Sequence, residues 1–107
     1  MKILEEILTD INDLVDRYHT LKLNQVADQS EILRGLSSNL FFLEDHRVEA
    51  HEKWLDVYNN HQGSNAAKER EADIQVKELY LIRRVMSSGY RVVDSVRSTI
   101  SIHKKER

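Results

Sequence analysis

Proline is absent from all 107 residues of this sequence, and glycine occurs only three times. Proline breaks helices, and glycine and proline together supply most of the tight turns that sheet proteins need. A chain with so little of either residue favours long helices over a sheet of many strands. Charged residues make up 32% of the sequence and hydrophobic residues 40%, a balance typical of amphipathic helices. We therefore expect one all-α domain, 1–107.

The composition also excludes several kinds of protein. Because the sequence has no cysteine, a disulfide scaffold, a zinc finger and thiol catalysis are excluded. No apolar run approaches the roughly 20 residues that cross a bilayer. The sequence shows no basic stretch followed by an apolar segment at its start, so we expect no secretory signal peptide. The expected location is the cytoplasm.

Known catalytic and metal-binding motifs are also missing. The five histidines lack the HExxH or ExxH spacing that brings two metal ligands to one helix face. The sequence contains no Ser/His/Asp signature, phosphate-binding loop or nucleotide-binding fingerprint. We expect a protein that is not an enzyme and that uses no cofactor and no metal ion.

Apolar residues at heptad spacing predict three helices, at about 2–23, 30–61 and 66–103. Between the last two, Gly63 suits the left-handed end of a helix, and Ser64 or Asn65 can cap the next helix. Such a short connection makes two long helices antiparallel neighbours. The predicted fold is a long, antiparallel, coiled-coil-like helical hairpin with an N-terminal third helix.

The start of the second helix is less defined. Asp28 followed by Glu31 resembles a capping box, and Ser30 is a competing cap. Since 24–29 contains neither glycine nor proline, one continuous helix over 2–62 stays an alternative, and such a helix would force oligomerisation.

Each long helix carries a predicted core row at heptad spacing. Beside the core row of the second helix lies a flanking row of Phe41, Val48 and Leu55, which could receive the first helix. In the third helix Gly89 occupies a core position, where it permits either a close helix approach or a kink. The core rows are Leu33, Leu36, Leu40, Leu43, Arg47, Ala50, Trp54 and Val57 on the second helix, and Leu79, Ile82, Met86, Gly89, Val93, Val96 and Ile100 on the third.

Two apolar rows on each long helix leave apolar surface uncovered unless the first helix or further copies of the chain cover it. We therefore expect a homo-oligomer, with the number of subunits left open.

The net charge of -2 hides a division along the chain. Residues 1–65 carry 6 basic and 12 acidic side chains, whereas 66–107 carry 10 basic and 6 acidic ones. With Leu79 as heptad position a, the outward f positions of the third helix form a basic row that contains no acidic residue. Ordinary helices mix signs there to gain i,i+4 pairs. The row consists of Arg70, Lys77, Arg84, Arg91 and Lys105, with Ser98 as its one uncharged position, and the adjacent e positions add Arg83, Arg97 and Lys104.

This basic row predicts binding to a polyanion through contacts that are insensitive to sequence and sensitive to salt. The alternative is that the row pairs with acidic side chains of the first or second helix of a neighbouring subunit. Tyr58, Tyr80 and Tyr90 are candidates for base stacking, while Trp54 is expected to be buried. The predicted nucleic-acid-binding residues are Lys53, Lys77, Arg84, Arg91, Arg97, Lys104 and Lys105.

Two stretches of the sequence carry a family resemblance, EKWLDVYNNHQGSN at 52–65 and SSGYRVVDSVRSTIS at 87–101. Both resemble the UvsY-type recombination mediators of tailed phages, and a phage-encoded chain would act in the cytoplasm of the host cell. The resemblance implies a small helical protein that forms a ring-like homo-oligomer, binds single-stranded DNA and helps a RecA-like recombinase replace the single-strand-binding protein. It also implies that basic residues near EKWLDVY bind the strand. Here Lys53 is the basic residue of that element, so the basic row would have to substitute for the others.

The resulting hypothesis is a non-catalytic, single-stranded-DNA-binding accessory of phage-type homologous recombination that assists recombinase loading. Its expected partners are single-stranded DNA, a RecA-like recombinase and a single-strand-binding protein, with no membrane involved. The alternative is a coiled-coil structural or adaptor protein, such as a virion component, that does not bind nucleic acid.

Overall fold

Four α-helices make up the described part of the chain. The computed structural model describes residues 3–22 and 24–105, with side chains up to Ile102. The helices are α1 (Leu4–Thr20), α2 (Val26–Asn60), α3 (Asn65–Gln75) and α4 (Lys77–Lys105), and the described residues include no β-strand. The prediction of an all-α fold is confirmed.

The junction between α1 and α2 differs from the prediction. After Thr20 the backbone turns extended at Leu21, so the alternative of one helix over 2–62 is wrong. Helix α2 begins four residues earlier than predicted, and neither Asp28 nor Ser30 caps it. The residue before it is Gln25, whose Oε1 accepts a hydrogen bond of 2.7 Å from the backbone N–H of Lys22. The predicted limits of the first helix, at 2 and 23, lie outside the described residues.

The predicted hairpin is formed by α2 and α4. Position 40 of α2 lies beside position 89 of α4, and position 51 lies beside position 83, so the two helices run antiparallel. The turn before α3 has the expected chemistry. Gly63 adopts a φ of 127°, and the Ser64 hydroxyl caps α3 by accepting a hydrogen bond of 3.2 Å from the N–H of Ala67.

The predicted third helix is not continuous, because Val76 separates α3 from α4. In an unbroken helix with Leu79 at position a, Gln75 would occupy core position d. The interruption places Val76 in the core, at 4% exposure. Gln75 stays exposed, and its Nε2 donates a hydrogen bond of 2.6 Å to Oε1 of Glu71. The helix breaks where the apolar spacing changes, because burying valine is more favourable than burying an amide.

The core lies between α2 and α4, with α1 packed against both. Gly89 sits in this core, where an added Cβ would lie 3.1 Å from Leu40 Cδ2 and 3.4 Å from Ile11 Cγ2. Helix α4 continues through Gly89, so the residue serves the close approach of three helices. The core includes most of the predicted residues, namely Leu36, Leu40, Leu43, Ala50, Leu79, Ile82, Met86, Val93 and Val96.

The flanking row does not receive α1, and that prediction is wrong. Phe41, Val48 and Leu55 are 72%, 43% and 38% exposed. Helix α1 instead lies on another side of α2, where Leu14 packs against Gly35. A Cβ added to Gly35 would lie only 3.0 Å from the Leu14 side chain. The absence of a side chain at Gly35 leaves room for a helix, and the bulky flanking row does not.

Candidate nucleic-acid interface

The outer surface of α4 presents its cations to solvent. Lys77, Arg84, Arg91 and Arg97 are all exposed. Among the described residues, none of the four lies within 4.0 Å of a carboxylate oxygen. An exposed guanidinium without an acidic neighbour keeps its donors available for an external anion.

A first shallow depression lies along this surface. Tyr80, Arg84, Ser87 and Arg91 follow one another at spacings of four, three and four residues, which places them on one face of α4. Tyr80 is 73% exposed at the N-terminal end of this depression. The lining combines one tyrosine ring, three guanidinium groups and two serine hydroxyls: Tyr80, Arg83, Arg84, Ser87, Ser88 and Arg91.

A second depression adjoins the first, on the side facing α2. It shares Arg83, Ser87 and Arg91 with the first depression, and it contains Tyr90, which is 46% exposed. Of the shared groups, Arg83 and Ser87 lie between the two tyrosines along α4, and Arg91 directly follows Tyr90. The full lining of the second depression is Arg47, Arg83, Met86, Ser87, Tyr90, Arg91 and Asp94.

Arg83 is held by α2. Its Nη2 lies 3.3 Å from Nδ1 of His51. A guanidinium has only donors, so the imidazole nitrogen accepts this bond. The contact bridges α2 and α4 and positions the Arg83 side chain on the boundary between the two depressions.

Arg47 contributes less positive charge to the second depression than its position suggests. Its Nε donates a hydrogen bond of 2.9 Å to Oε1 of Glu44. This hydrogen bond, supported by the charge attraction, lowers the pKa of the Glu44 carboxyl below its ordinary value and raises the pKa of Arg47. Asp94 also lines the second depression, so the first depression is the more strongly positive of the two.

Beside the site, three rings of α2 stack on one another. Trp54, which was expected to be buried, is half-buried. Its ring lies between those of His51 (6.2 Å between centroids, 4° between planes) and Tyr58 (5.3 Å, 15°). The ammonium of Lys68 lies 5.6 Å from the Tyr58 ring centroid. Internal contacts therefore occupy the Tyr58 ring, and Tyr80 and Tyr90 are the predicted stacking candidates that stay open.

The predicted site residues do not all meet. Arg84 and Arg91 both line the first depression, while Lys77 is the first residue of α4 and lines neither depression. Lys53 is on α2, where its Nζ lies 3.7 Å from Glu49 Oε1, and it also lines neither depression.

Four further cations of the predicted basic row and its adjacent e positions lie toward the ends of the basic surface. Arg97 is exposed farther along α4. The backbone of Lys104 and Lys105 closes α4, but their side chains lie outside the described part. Arg70 belongs to α3, so the interruption at Val76 removes it from the helix that carries the rest of the basic row.

The prediction of binding residues omitted several groups that the fold brings into the site. Arg83 lies at an e position of the heptad, beside the basic row, and this position is the sequence feature that could have indicated it. Ser87 and Ser88 carry no charge and Arg47 lies at a core position of the heptad, so neither charge nor spacing indicated these three as binding residues. Only the packing of α2 against α4 brings Arg47 and Arg83 to one depression.

The described residues, 3–22 and 24–102, include no group of three or more histidine, aspartate or glutamate side chains that could hold a metal ion. None of the helices in the described part is both long enough and apolar enough to cross a membrane.

Comparisons with known proteins add no relative: no family model, no curated protein and no solved structure matches this chain. The proposed function is therefore argued from the side chains of the α4 surface.

Proposed function

We propose that this chain is a non-catalytic protein that binds single-stranded DNA along α4. The supporting observation is the exposed pair Arg84 and Arg91, which has no carboxylate partner among the described residues and shares a depression with Arg83. Three guanidinium groups and two serine hydroxyls offer hydrogen-bond donors in the arrangement that phosphate oxygens accept.

The spacing of the cations suits a repeating anion. Arg84 and Arg91 are separated by seven residues, which corresponds to a rise of about 10.5 Å along the helix. Flexible arginine side chains on such a row can each reach a phosphate of an extended strand. Binding of this kind releases counterions, so affinity falls as salt rises.

The test is fluorescence anisotropy with labelled oligo(dT), in a salt series from about 50 mM to about 200 mM. The double variant Arg84→Glu/Arg91→Glu removes two proposed phosphate contacts. Each contact with a single strand contributes about 0.7 to the slope of log affinity against log salt, so we expect the slope to fall by about 1.4.

Arg34→Glu is the control for charge. Arg34 is an exposed residue of α2 that lines neither depression, and its reversal changes net charge in the same direction. We expect a much smaller effect from this variant. The proposal is wrong if the wild-type protein fails to bind oligo(dT) at low salt, or if one such reversal at Arg34 weakens binding as much as one at Arg84.

We further propose that this binding serves homologous recombination, with the chain acting as a homo-oligomer that assists a RecA-like recombinase. The support is the resemblance to UvsY-type mediators at 52–65 and 87–101, the second of which includes Arg91 and Arg97. Linking several weak binding surfaces in one oligomer would raise affinity for a long strand without new contacts. The test is whether the protein speeds recombinase filament formation on DNA already coated with single-strand-binding protein.

The exposed flanking row favours a second candidate function, that of a structural or adaptor protein. Phe41, Val48 and Leu55 form an apolar line along α2 that no other described helix covers. Such a line is typical of a surface that contacts another protein. Light scattering coupled to size exclusion, with wild type and Val48→Glu, distinguishes the outcomes. A smaller assembly for Val48→Glu, together with no oligo(dT) binding by wild type, would favour this second function over the first.

A further inference from the structure

We propose that Tyr80 and Tyr90 stack on bases of the bound strand and thereby make the α4 surface selective for single-stranded over duplex nucleic acid. This inference rests on the proposed function, because it names the form of polyphosphate that the same surface recognises.

The two tyrosines have rings that are free to receive a base. Tyr80 is 73% exposed and Tyr90 is 46% exposed. In the part of the chain that the structure describes, neither ring stacks on another ring or lies under a cation. Tyr58 differs in both respects, since it stacks on Trp54 and lies beneath Lys68. An exposed, unstacked ring gains contact area when a base covers it.

The two tyrosines lie beside the same anion-binding groups. Each depression contains one tyrosine, and the two depressions share Arg83, Ser87 and Arg91. Arg83 and Ser87 lie between positions 80 and 90 of α4, and Arg91 directly follows Tyr90. A strand whose bases cover both rings can therefore place its connecting phosphates near these groups. One strand can then stack its bases on the rings and bind its phosphates to the cations at the same time.

The two rings are too far apart to stack on two neighbouring bases of a strand whose bases are themselves stacked. Tyr80 and Tyr90 are ten residues apart, a rise of about 15 Å along α4. Successive bases of a duplex strand are only about 3.4 Å apart, and their faces are already covered by stacking. A single strand can turn its bases outward and span the gap, whereas a duplex can offer only its phosphates. The tyrosines should therefore add affinity for single strands alone.

The experiment compares three probes of equal length: a labelled oligo(dT) strand, a strand of abasic phosphodiester units, and a DNA duplex. The variants are Tyr80→Leu, Tyr90→Leu and the double variant, with Tyr80→Phe and Tyr90→Phe as matched controls that keep the ring. Circular dichroism at each variant verifies that the helices persist.

We expect each leucine variant to lose from about fivefold to about 150-fold in affinity for oligo(dT), because base stacking on an aromatic side chain contributes that much. The phenylalanine variants should stay close to wild type. Affinity for the abasic strand and for the duplex should be unchanged, because neither probe can place a base on the rings.

The inference is overturned if wild type binds the abasic strand or the duplex as tightly as oligo(dT). It is also overturned if the leucine variants bind oligo(dT) like wild type, or if they lose affinity equally for all three probes. In each of these cases the salt dependence and the effect of Arg84→Glu/Arg91→Glu would still support the proposed function. If wild type binds none of the probes at low salt, the proposed function fails as well.

Discussion

The indole N–H of Trp54 donates a hydrogen bond of 2.8 Å to Oδ1 of Asp73, and this bond joins α2 to α3. Helix α3 buries only Ala72, so its apolar contact with the rest of the fold is small. The Trp54–Asp73 bond and the contact of Lys68 with the Tyr58 ring therefore orient α3 on the ring stack of α2.

We expect Asp73→Ala to lower the free energy of unfolding by about 1 kcal/mol, the usual contribution of one hydrogen bond. Asp73→Asn keeps an acceptor oxygen and should retain most of the stability. Urea denaturation followed by circular dichroism measures both variants. Trp54 is the single tryptophan of the sequence, so its fluorescence should shift in Asp73→Ala. Equal stability of the alanine variant and wild type would show that the bond does not hold α3.

The second prediction concerns Gly89, where three helices meet. Gly89→Leu places a side chain against Leu40 and Ile11, and we expect it to destabilise the fold by about 1 to 3 kcal/mol through overpacking. Ser95→Leu adds the same side chain at an exposed position of α4 and should change stability little. A thermal melt of the two variants provides the comparison, and equal melting temperatures would contradict the close approach at Gly89.

The third prediction concerns acid stability. The hydrogen bond from Arg47 lowers the pKa of Glu44 in the folded protein. A carboxyl with a lowered pKa stabilises the fold above its unfolded-state pKa, and that contribution disappears as pH falls through the lowered value. We therefore expect wild type to be slightly more stable than Glu44→Gln at neutral pH, and the two to converge below the ordinary carboxyl pKa of 4.5. Urea midpoints across this pH range measure the difference, and a gap that widens in acid would refute the assignment.

The fourth prediction separates two residues that the sequence grouped together. Lys53 is paired with Glu49 on α2 and lines neither depression, whereas Arg84 is unpaired among the described side chains and lines the first depression. We expect Arg84→Glu to weaken oligo(dT) binding about tenfold or more at low salt, and Lys53→Glu to weaken it far less. The same anisotropy titration serves both variants. A larger loss for Lys53→Glu would move the binding surface from α4 to α2.

Much of the fold could be predicted because apolar spacing alone sets which face of a helix is buried. The core positions of α4 from Leu79 to Val96 and the capped turn at Gly63 and Ser64 are confirmed. The break at Val76 was not predicted, since the gain from burying its side chain depends on how α3 meets α2.

The candidate site shows the same division. Heptad spacing correctly placed Arg84 and Arg91 on an exposed face, because position f points away from the core. The same spacing gave no indication that Arg83 would be held by His51, or that Arg47 would reach the second depression. These contacts join residues more than thirty positions apart and follow from the packing of α2 on α4.

The sequence by itself determined that this chain is helical, that its long helices pair through heptad rows, and that basic charge lies on the outer face of the last helix. These properties are local, because they depend on the spacing of residues within one helix. Only the tertiary structure decided which side of α2 receives α1, which tyrosine rings stay open, and which guanidinium groups share a depression. Those outcomes depend on the angle and closeness of helix packing, which Gly35 and Gly89 permit but do not specify.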